Sequence, residues 1–259
     1  KHARDPELTS LLKLIDEANP GALDKTGFLT ADFQTLAAQY SKESQGFEAE
    51  GATIVSKGVY GVNGEANWKP FATAMANDGV TFQKFIGEPG NVAAYEQARA
   101  QVGFDPEVRY YETNFYDQGF IDAGGKAVDG ALISSVFIPL EEADTHPATQ
   151  QYLDVMDKQG GKVALLGMQS TSAWLLFATL AKACDQDNDL TRSCVLKGAG
   201  EVHDWTGGGL HAATDPGKND PAECQMVMEI KSGKFTRFGP DDEDFSCPDG
   251  AVVDVKSAS

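Results

Sequence analysis

Nowhere does this sequence run apolar for the ~20 residues that a membrane-spanning helix needs, so no segment is expected to cross a bilayer. Basic residues are scarce: 21 Lys and Arg, scattered, stand against 39 Asp and Glu, a formal net charge of −18. Binding to phosphate backbones needs clustered positive charge, so nucleic acid is excluded as a partner. The acidity suits solubility or salt and names no partner. Histidines are few and dispersed (His2, His146, His203, His211), and no GxSxG nucleophile motif is present. Gly207, Gly208 and Gly209 lack the Lys-Ser/Thr that completes a phosphate loop. The cysteines form no CxxC doublet, which argues against structural zinc. Asp185, Asp187 and Asp189 imitate the opening of a calcium loop. Leu190 and Leu196 stand where its glycine and glutamate are needed, so this reads as a charged connector. No enzyme, no cofactor and no metal is expected.

What is present is a globular chain of 259 residues, 41% hydrophobic, long enough for one large domain or two small ones. Cys184, Cys194, Cys224 and Cys247 allow three pairings. Cys184–Cys194 with Cys224–Cys247 closes short local loops and is favoured, each worth on the order of 3 kcal/mol by the loop-entropy model. Disulfides imply an oxidising compartment outside the cytoplasm; four buried free thiols are the alternative. Lys1 to Asp5 is polar and reads as running directly into a helix, with no signal peptide.

Along the chain, Asp5-Pro6 reads as an N-cap and first turn of a helix carrying Leu8, Leu11, Leu12 and Ile15. Strands are expected at 25–30, 52–59, 80–86 and 108–111. Between them lie helices with inner residues Phe33, Leu36, Ala37, Tyr40 and Phe47, then Trp68, Phe71, Ala72 and Met75, then Val92, Tyr95, Ala98 and Val102. Such alternation with short loops implies a parallel sheet covered on both faces, whose ligands sit beyond the carboxyl ends of the strands. Those ends carry Asp32, Phe33, Glu65, Glu88, Asn91, Glu112, Asn114 and Tyr116, an inventory of carboxylates, amides and aromatics. Asp129 to Cys184 then supplies an apolar strand (131–138), an acidic loop, a helix, a glycine break and a second helix, which suggests a second lobe. Residues 225–230 and 234–238 flank Ser232-Gly233 as a β-hairpin, and 252–255 is a last short strand.

The order and spacing of several segments resemble the type I periplasmic binding proteins, specifically the branched-chain amino acid (leucine/isoleucine/valine-like) substrate-binding components of ABC transporters, in actinobacterial-like form. The segments are Gly27–Asp32, Phe47–Val55, Asn63-Gly64-Glu65 with Asn67–Phe71, Phe85–Gly90, Asp129–Pro139, Asp204–His211 and Ser232–Phe235. The resemblance spans residues 5 to 255. It implies an α/β, two-lobed fold of parallel sheets flanked by helices, with the first part of lobe one missing. Residues 1–128 and 205–259 would form lobe two, and 129–204 the closing half of lobe one. The strand at 131–138 and the helices at 148–183 would then present apolar faces, an association hazard.

The resemblance further implies an exported solute-binding protein that captures an amino acid or similar small polar metabolite in an interlobe cleft and delivers it to a membrane ABC permease. An extracellular ligand-sensing module of a receptor or regulator is the alternative. Glu65 matches the position where an acidic side chain meets the ligand's ammonium group; the bland reading is a solvated loop glutamate. Phe33 and Gln34 occupy a loop where relatives present aromatic or polar contacts, with Phe33 as core the rival. Asn91 caps its helix. Glu88, Glu112 and Asn114 are further ligand candidates, and Tyr116 either stacks on a ligand or anchors its loop. Gln169 and Ser170 either reach the cleft or cap the helix of Trp174, Leu175 and Phe177. The location implied is extracytoplasmic, periplasmic or at the cell surface. The chain would be secreted or held by a lipid anchor upstream, its one link to the membrane.

Overall fold

The computed structural model describes residues 4–220, 222–250 and 252–256; His2 lies outside them. The chain divides into two compact units, one of residues 1–135 and 226–259 and the other of residues 136–225. The first is built on a seven-stranded sheet in the order β3-β2-β4-β5-β6-β7-β8. Its strands are β2 (Thr26–Ala31), β3 (Ile54–Tyr60), β4 (Phe82–Ile86), β5 (Val108–Tyr111), β6 (Leu132–Ser135), β7 (Met226–Lys231) and β8 (Lys234–Gly239). β2 to β6 run parallel, and β7 returns antiparallel beside β6. Every residue of β2, β4 and β5 is buried, as expected for parallel strands covered on both faces.

One face is covered by α1 (Ser10–Ala18) and α2 (Gln34–Ala49). Leu11, Leu12 and Ile15 of α1 join Phe28, Phe47 and Phe82 in one core. Phe47 meets Phe28 and Phe82 edge-on at 5.0 and 5.4 Å between ring centres, a favoured aromatic geometry. The other face is covered by α3 (Lys69–Asn77) and α4 (Pro89–Val102), where Trp68 stacks among Tyr60, Phe85 and Tyr95. α5 (Gln118–Gly124) packs beside α4.

Three expectations are corrected here. Residues 4–8 form a strand, β1, paired antiparallel with β9 (Val252–Lys256), so Asp5 does not cap a helix and α1 starts at Ser10. The Asp-Pro signal was local, whereas the pairing joins opposite ends of the chain. The strand inside 131–138 is β6, hydrogen-bonded in parallel to β5, so residues 129–135 lie with the first unit and not with a second lobe. An apolar run reads the same whichever sheet it joins. Residues 205–225, expected in lobe two, lie with the second unit; the acidic residues 185–189 do connect two helices, leading into α8 (Arg192–Gly200), whose cap Thr191 accepts from Cys194 N at 3.2 Å. The hairpin is as read: Ser232 (φ 53°) and Gly233 (φ 73°) make the tight turn with two left-handed residues that strand twist favours.

Behind α4 lies a buried charge network. Glu96 is fully buried and takes Arg109 Nη1 at 2.8 Å, Arg99 Nε at 2.9 Å, the Tyr111 hydroxyl at 2.5 Å and Gln83 Nε2 at 2.9 Å. Arg109 also donates to the carbonyls of Ala127 and Asp129, and Asp129 Oδ1 accepts from Gly233 N at 3.0 Å. The network thus ties α4, β5, the approach to β6 and the β7–β8 turn together.

In the second unit, α6 (Pro147–Gln159) and α7 (Leu165–Gln186) follow a two-sided bridge between Phe137 and His211. The Cys184–Cys194 disulfide fixes α8 to the end of α7. No cysteine is free, and Cys224 and Cys247 are also disulfide-bonded, as the favoured pairing requires. His211 is buried between Phe137 and α7. Its Nδ1 donates to the Ala212 carbonyl at 2.7 Å, so Nε2 accepts the Ser172 hydroxyl at 2.6 Å. Ser172 Oγ in turn accepts from Trp205 Nε1 at 2.9 Å. Residues 205–225 therefore belong with this unit. α7 carries one charged side chain, Lys182, between Leu165 and Cys184, yet Leu166, Trp174, Leu175 and Phe177 are exposed, Trp174 by 68%.

Glu96→Leu leaves Arg109 as an uncompensated buried cation and Arg99 with only the exposed Asp105 as a partner, and urea unfolding should show a loss of about 3–5 kcal/mol. Ser172→Ala strands His211 Nε2 and Trp205 Nε1, and the same measurement should show a loss of about 1–3 kcal/mol.

Candidate functional site

In the first unit β3, β2, β4 and β5, in sheet order, end at Tyr60, Ala31, Ile86 and Tyr111, and the segments that follow them line one edge. Asp32 N donates to Tyr60 O at 2.7 Å, fixing the exit of β2 against that of β3. Phe33, the residue before α2, is 53% exposed at this edge, so it is not core; Gln34 opens α2 and is exposed.

The 61–67 loop folds on itself: Glu65 Oε1 accepts from Gly61 N at 2.7 Å, and Gly64 N donates to Gly61 O. Gly64 has φ +90°, and a Cβ there would stand 2.5 Å from Asn91 Oδ1. The Tyr60 hydroxyl donates to Ile86 O at 3.3 Å. A Cβ on Gly87 would stand 1.9 Å from that hydroxyl, so both glycines are required for the loops to meet. Asn91 does not cap α4. Glu88 holds the cap position, Pro89 follows in the first turn, and Asn91 lies inside the helix. Asn67, two residues before α3, turns its Oδ1 to accept from Lys69 N at 3.1 Å.

After β5 the candidates separate. Glu112 is turned beneath α2, where its Oε1 lies 3.4 Å from Lys84 Nζ. The Lys84 ammonium holds the Glu112 carboxyl below the usual carboxylate range despite its burial. Its charge is thus matched inside the protein. Asn114 Nδ2 reaches Gly87 O at 3.4 Å, while its Oδ1 is buried without a hydrogen-bond partner. Tyr116 is 2% exposed and meets Phe235 edge-on at 4.6 Å, so it anchors its loop.

Glu65, Glu88, Phe33 and Gln34 thus share the exposed edge, with Asp32 between them. Gln169 lies in the second unit, in the second turn of α7, and Ser170 beside it. Neither precedes the helix, so neither caps it; Ala164 holds that position. Segments 31–34, 60–68, 87–91 and 112–118 contain no Lys or Arg. The edge is therefore suited to a positively charged group, which Phe33 could also cover with its ring face.

Sequence reasoning missed a pocket of about 400 Å³ in the second unit, lined by Tyr152, Val155, Thr171, Leu175, Trp205 and Leu210, among others. It also missed the Ser172–His211 pair, whose members stand 39 residues apart with no motif to join them. Burial lowers the His211 pKa, and the imidazole accepts from a serine hydroxyl already claimed by Trp205. Among the described residues no group of three His, Cys, Asp or Glu side chains converges to hold a metal, and no helix is long and apolar enough to cross a membrane.

Residues 13–234 match the family model described as periplasmic binding protein. No curated protein matches the sequence. Among solved structures, the chain is similar to a branched chain amino acid ABC transporter from Thermus thermophilus with bound valine (TM-score 0.73, 15% identity, covering 89% of this chain and 63% of that one). It is similar to a leucine binding protein from Thermotoga maritima (TM-score 0.70, 16% identity, 90% and 65%). It is also similar to an extracellular ligand-binding receptor from Rhodopseudomonas palustris (TM-score 0.70, 16% identity, 88% and 65%). The chain spans just under two thirds of the length of these relatives. At such identities the likeness is one of fold, an α/β architecture with a mostly parallel sheet flanked by helices. With the family model matched over most of the sequence, the chain belongs to the periplasmic binding protein family.

Proposed function

We propose that this chain is the ligand-capturing part of an exported solute-binding protein that takes up an amino acid or similar small polar metabolite and hands it to an ABC permease in the membrane. The observation that carries the reading is the exposed edge of the first unit. There Glu65 and Glu88 follow strand exits whose segments carry no Lys or Arg, with Asp32 and the exposed Phe33 on the exit between them. A carboxylate against an ammonium forms a charge-assisted hydrogen bond, roughly twice as strong as a neutral one. Glu65 is the residue assigned to the ammonium, held by its loop bond to Gly61 N. Glu112, matched by Lys84, takes no part in that contact.

Two disulfides support a place outside the cytoplasm, with the protein secreted or tethered by a lipid group. Binding without chemistry fits the family. A second reading, a sensing module of a receptor, has one specific support: a similar structure is described as an extracellular ligand-binding receptor. The same edge would serve either use, because fold does not fix function.

A thermal-shift screen of the purified chain with branched-chain and other amino acids, amides and polyamines tests the reading. A true ligand at a hundred times its Kd adds about 2.7 kcal/mol of stability. Glu65→Ala should weaken the best hit tenfold or more, about 1.4 kcal/mol. Unchanged affinity removes Glu65 from the contact, and a screen in which no amine-bearing compound stabilises the chain removes the proposed ligand class.

A further inference from the structure

Beneath α2, the sheet of the first unit carries a charge cluster that the ligand reading does not use. Lys84 of β4 is buried, with Nζ 3.3 Å from Glu43 Oε2 and 3.4 Å from Glu112 Oε1. Gln39, one turn before Glu43 on α2, donates Nε2 both to Glu43 Oε1 at 2.8 Å and to Glu112 Oε1. The Gln39 amide and the Lys84 ammonium thus each touch both carboxyl groups, which draws Glu43 and Glu112 together around them. The Tyr110 ring of β5 lies 4.6 Å from Lys84 Nζ, and its hydroxyl bonds to Ser134 of β6. Lys42 of α2 and Glu7 of β1 complete the charged surroundings.

Two ionised carboxylates held around one ammonium and one amide offer each other only lone pairs and repel, and a single proton between them relieves that repulsion. One ammonium cannot balance two negative charges at this largely covered site, and both hydrogens of the Gln39 amide are already given. Glu43 Oε2 is covered, and the one cation beside it, Lys84 at 3.3 Å, is shared with Glu112. We propose that Glu43 and Glu112 share a single proton and, with Lys84, form a pH-sensitive latch that holds α2 to the end of β5.

With the proton in place the cluster is neutral: Lys84 pairs with Glu112, and Glu43 donates. Without it, one unbalanced negative charge remains under α2, and Glu43 gains solvation by moving outward with its helix. α2 begins at Phe33-Gln34 and β5 runs on to Asn114, so release of the latch loosens two sides of the same exposed edge. Burial pushes Glu43 well above the ordinary carboxylate range, while Lys84 holds Glu112 below it. Glu7 is also raised by burial, and Tyr110, pushed up to about 12, stays neutral.

The sign follows from linkage. The folded chain keeps the Glu43 proton where the unfolded chain releases it in the ordinary glutamate range, so this group destabilises the fold as pH rises from there to its folded pKa. Glu112 acts below that window, losing its contribution as pH falls through its lowered pKa. His211 has the opposite slope near neutrality, because its lowered pKa favours folding as pH rises.

Urea unfolding at about pH 5 and about pH 8, compared between the native sequence, Glu43→Gln and Glu7→Gln, isolates the latch. The folding equilibrium constant of Glu43→Gln relative to the native sequence should rise at least tenfold between the two pH values, while Glu7→Gln keeps most of the native slope. Infrared difference spectra should show a protonated-carboxyl carbonyl band at neutral pH in the native chain and in Glu7→Gln, but not in Glu43→Gln. A native chain with no such band, or a pH slope that Glu43→Gln leaves intact, overturns the proposal. Should Glu43→Gln fail to fold, the native band must disappear on raising pH together with faster amide exchange in α2; a band that titrates with no change in α2 exchange also overturns it.

Discussion

A parallel sheet covered on both faces leaves a protein few places to meet a polar ligand. In the first unit β2, β4 and β5 are buried along their whole length, so their side chains are spent on α1 and α2 on one side and α3 and α4 on the other. Exposed polar groups gather where the strands stop and the chain turns into the next helix. Everything in the functional account follows from that constraint. The close meeting of the strand exits, made possible by Gly64 and Gly87, brings four segments of distant sequence to one edge.

Charge is distributed there in two ways. Glu96 and Glu112 are turned inward and matched by Arg99, Arg109 and Lys84, where an unpaired charge would cost far more than it could return. Glu65 and Glu88 stay at the surface with no cation in their segments to neutralise them. The difference separates structural carboxylates from candidate ligand carboxylates, and the sequence alone could not draw it. Glu65 and Glu112 both follow strands, but only the second lies above a buried lysine.

The alternation of strands and helices was legible because each apolar run pairs with a neighbour close in sequence. β5 has the predicted limits, and the hairpin turn at Ser232-Gly233 is a local signal that suffices by itself. What was not legible depended on distance. β1 pairs with the far end of the chain, so Asp5-Pro6 was read for its helix-capping chemistry. β6 could join any sheet until its partner was known. α5 and α8 are short and glycine-bearing, with weak periodicity. Lys84 and Arg109 alternate with aromatic residues in strands and read as ordinary polar positions until their carboxylate partners are in view.

Whether ligand binds at the strand exits of the first unit is tested most directly by amide hydrogen exchange on the purified chain with and without its best amino-acid ligand. The account predicts that added protection concentrates in residues 32–34, 61–68 and 87–91. Protection confined to residues 148–179 and 205–210, around the apolar pocket of the second unit, would contradict it.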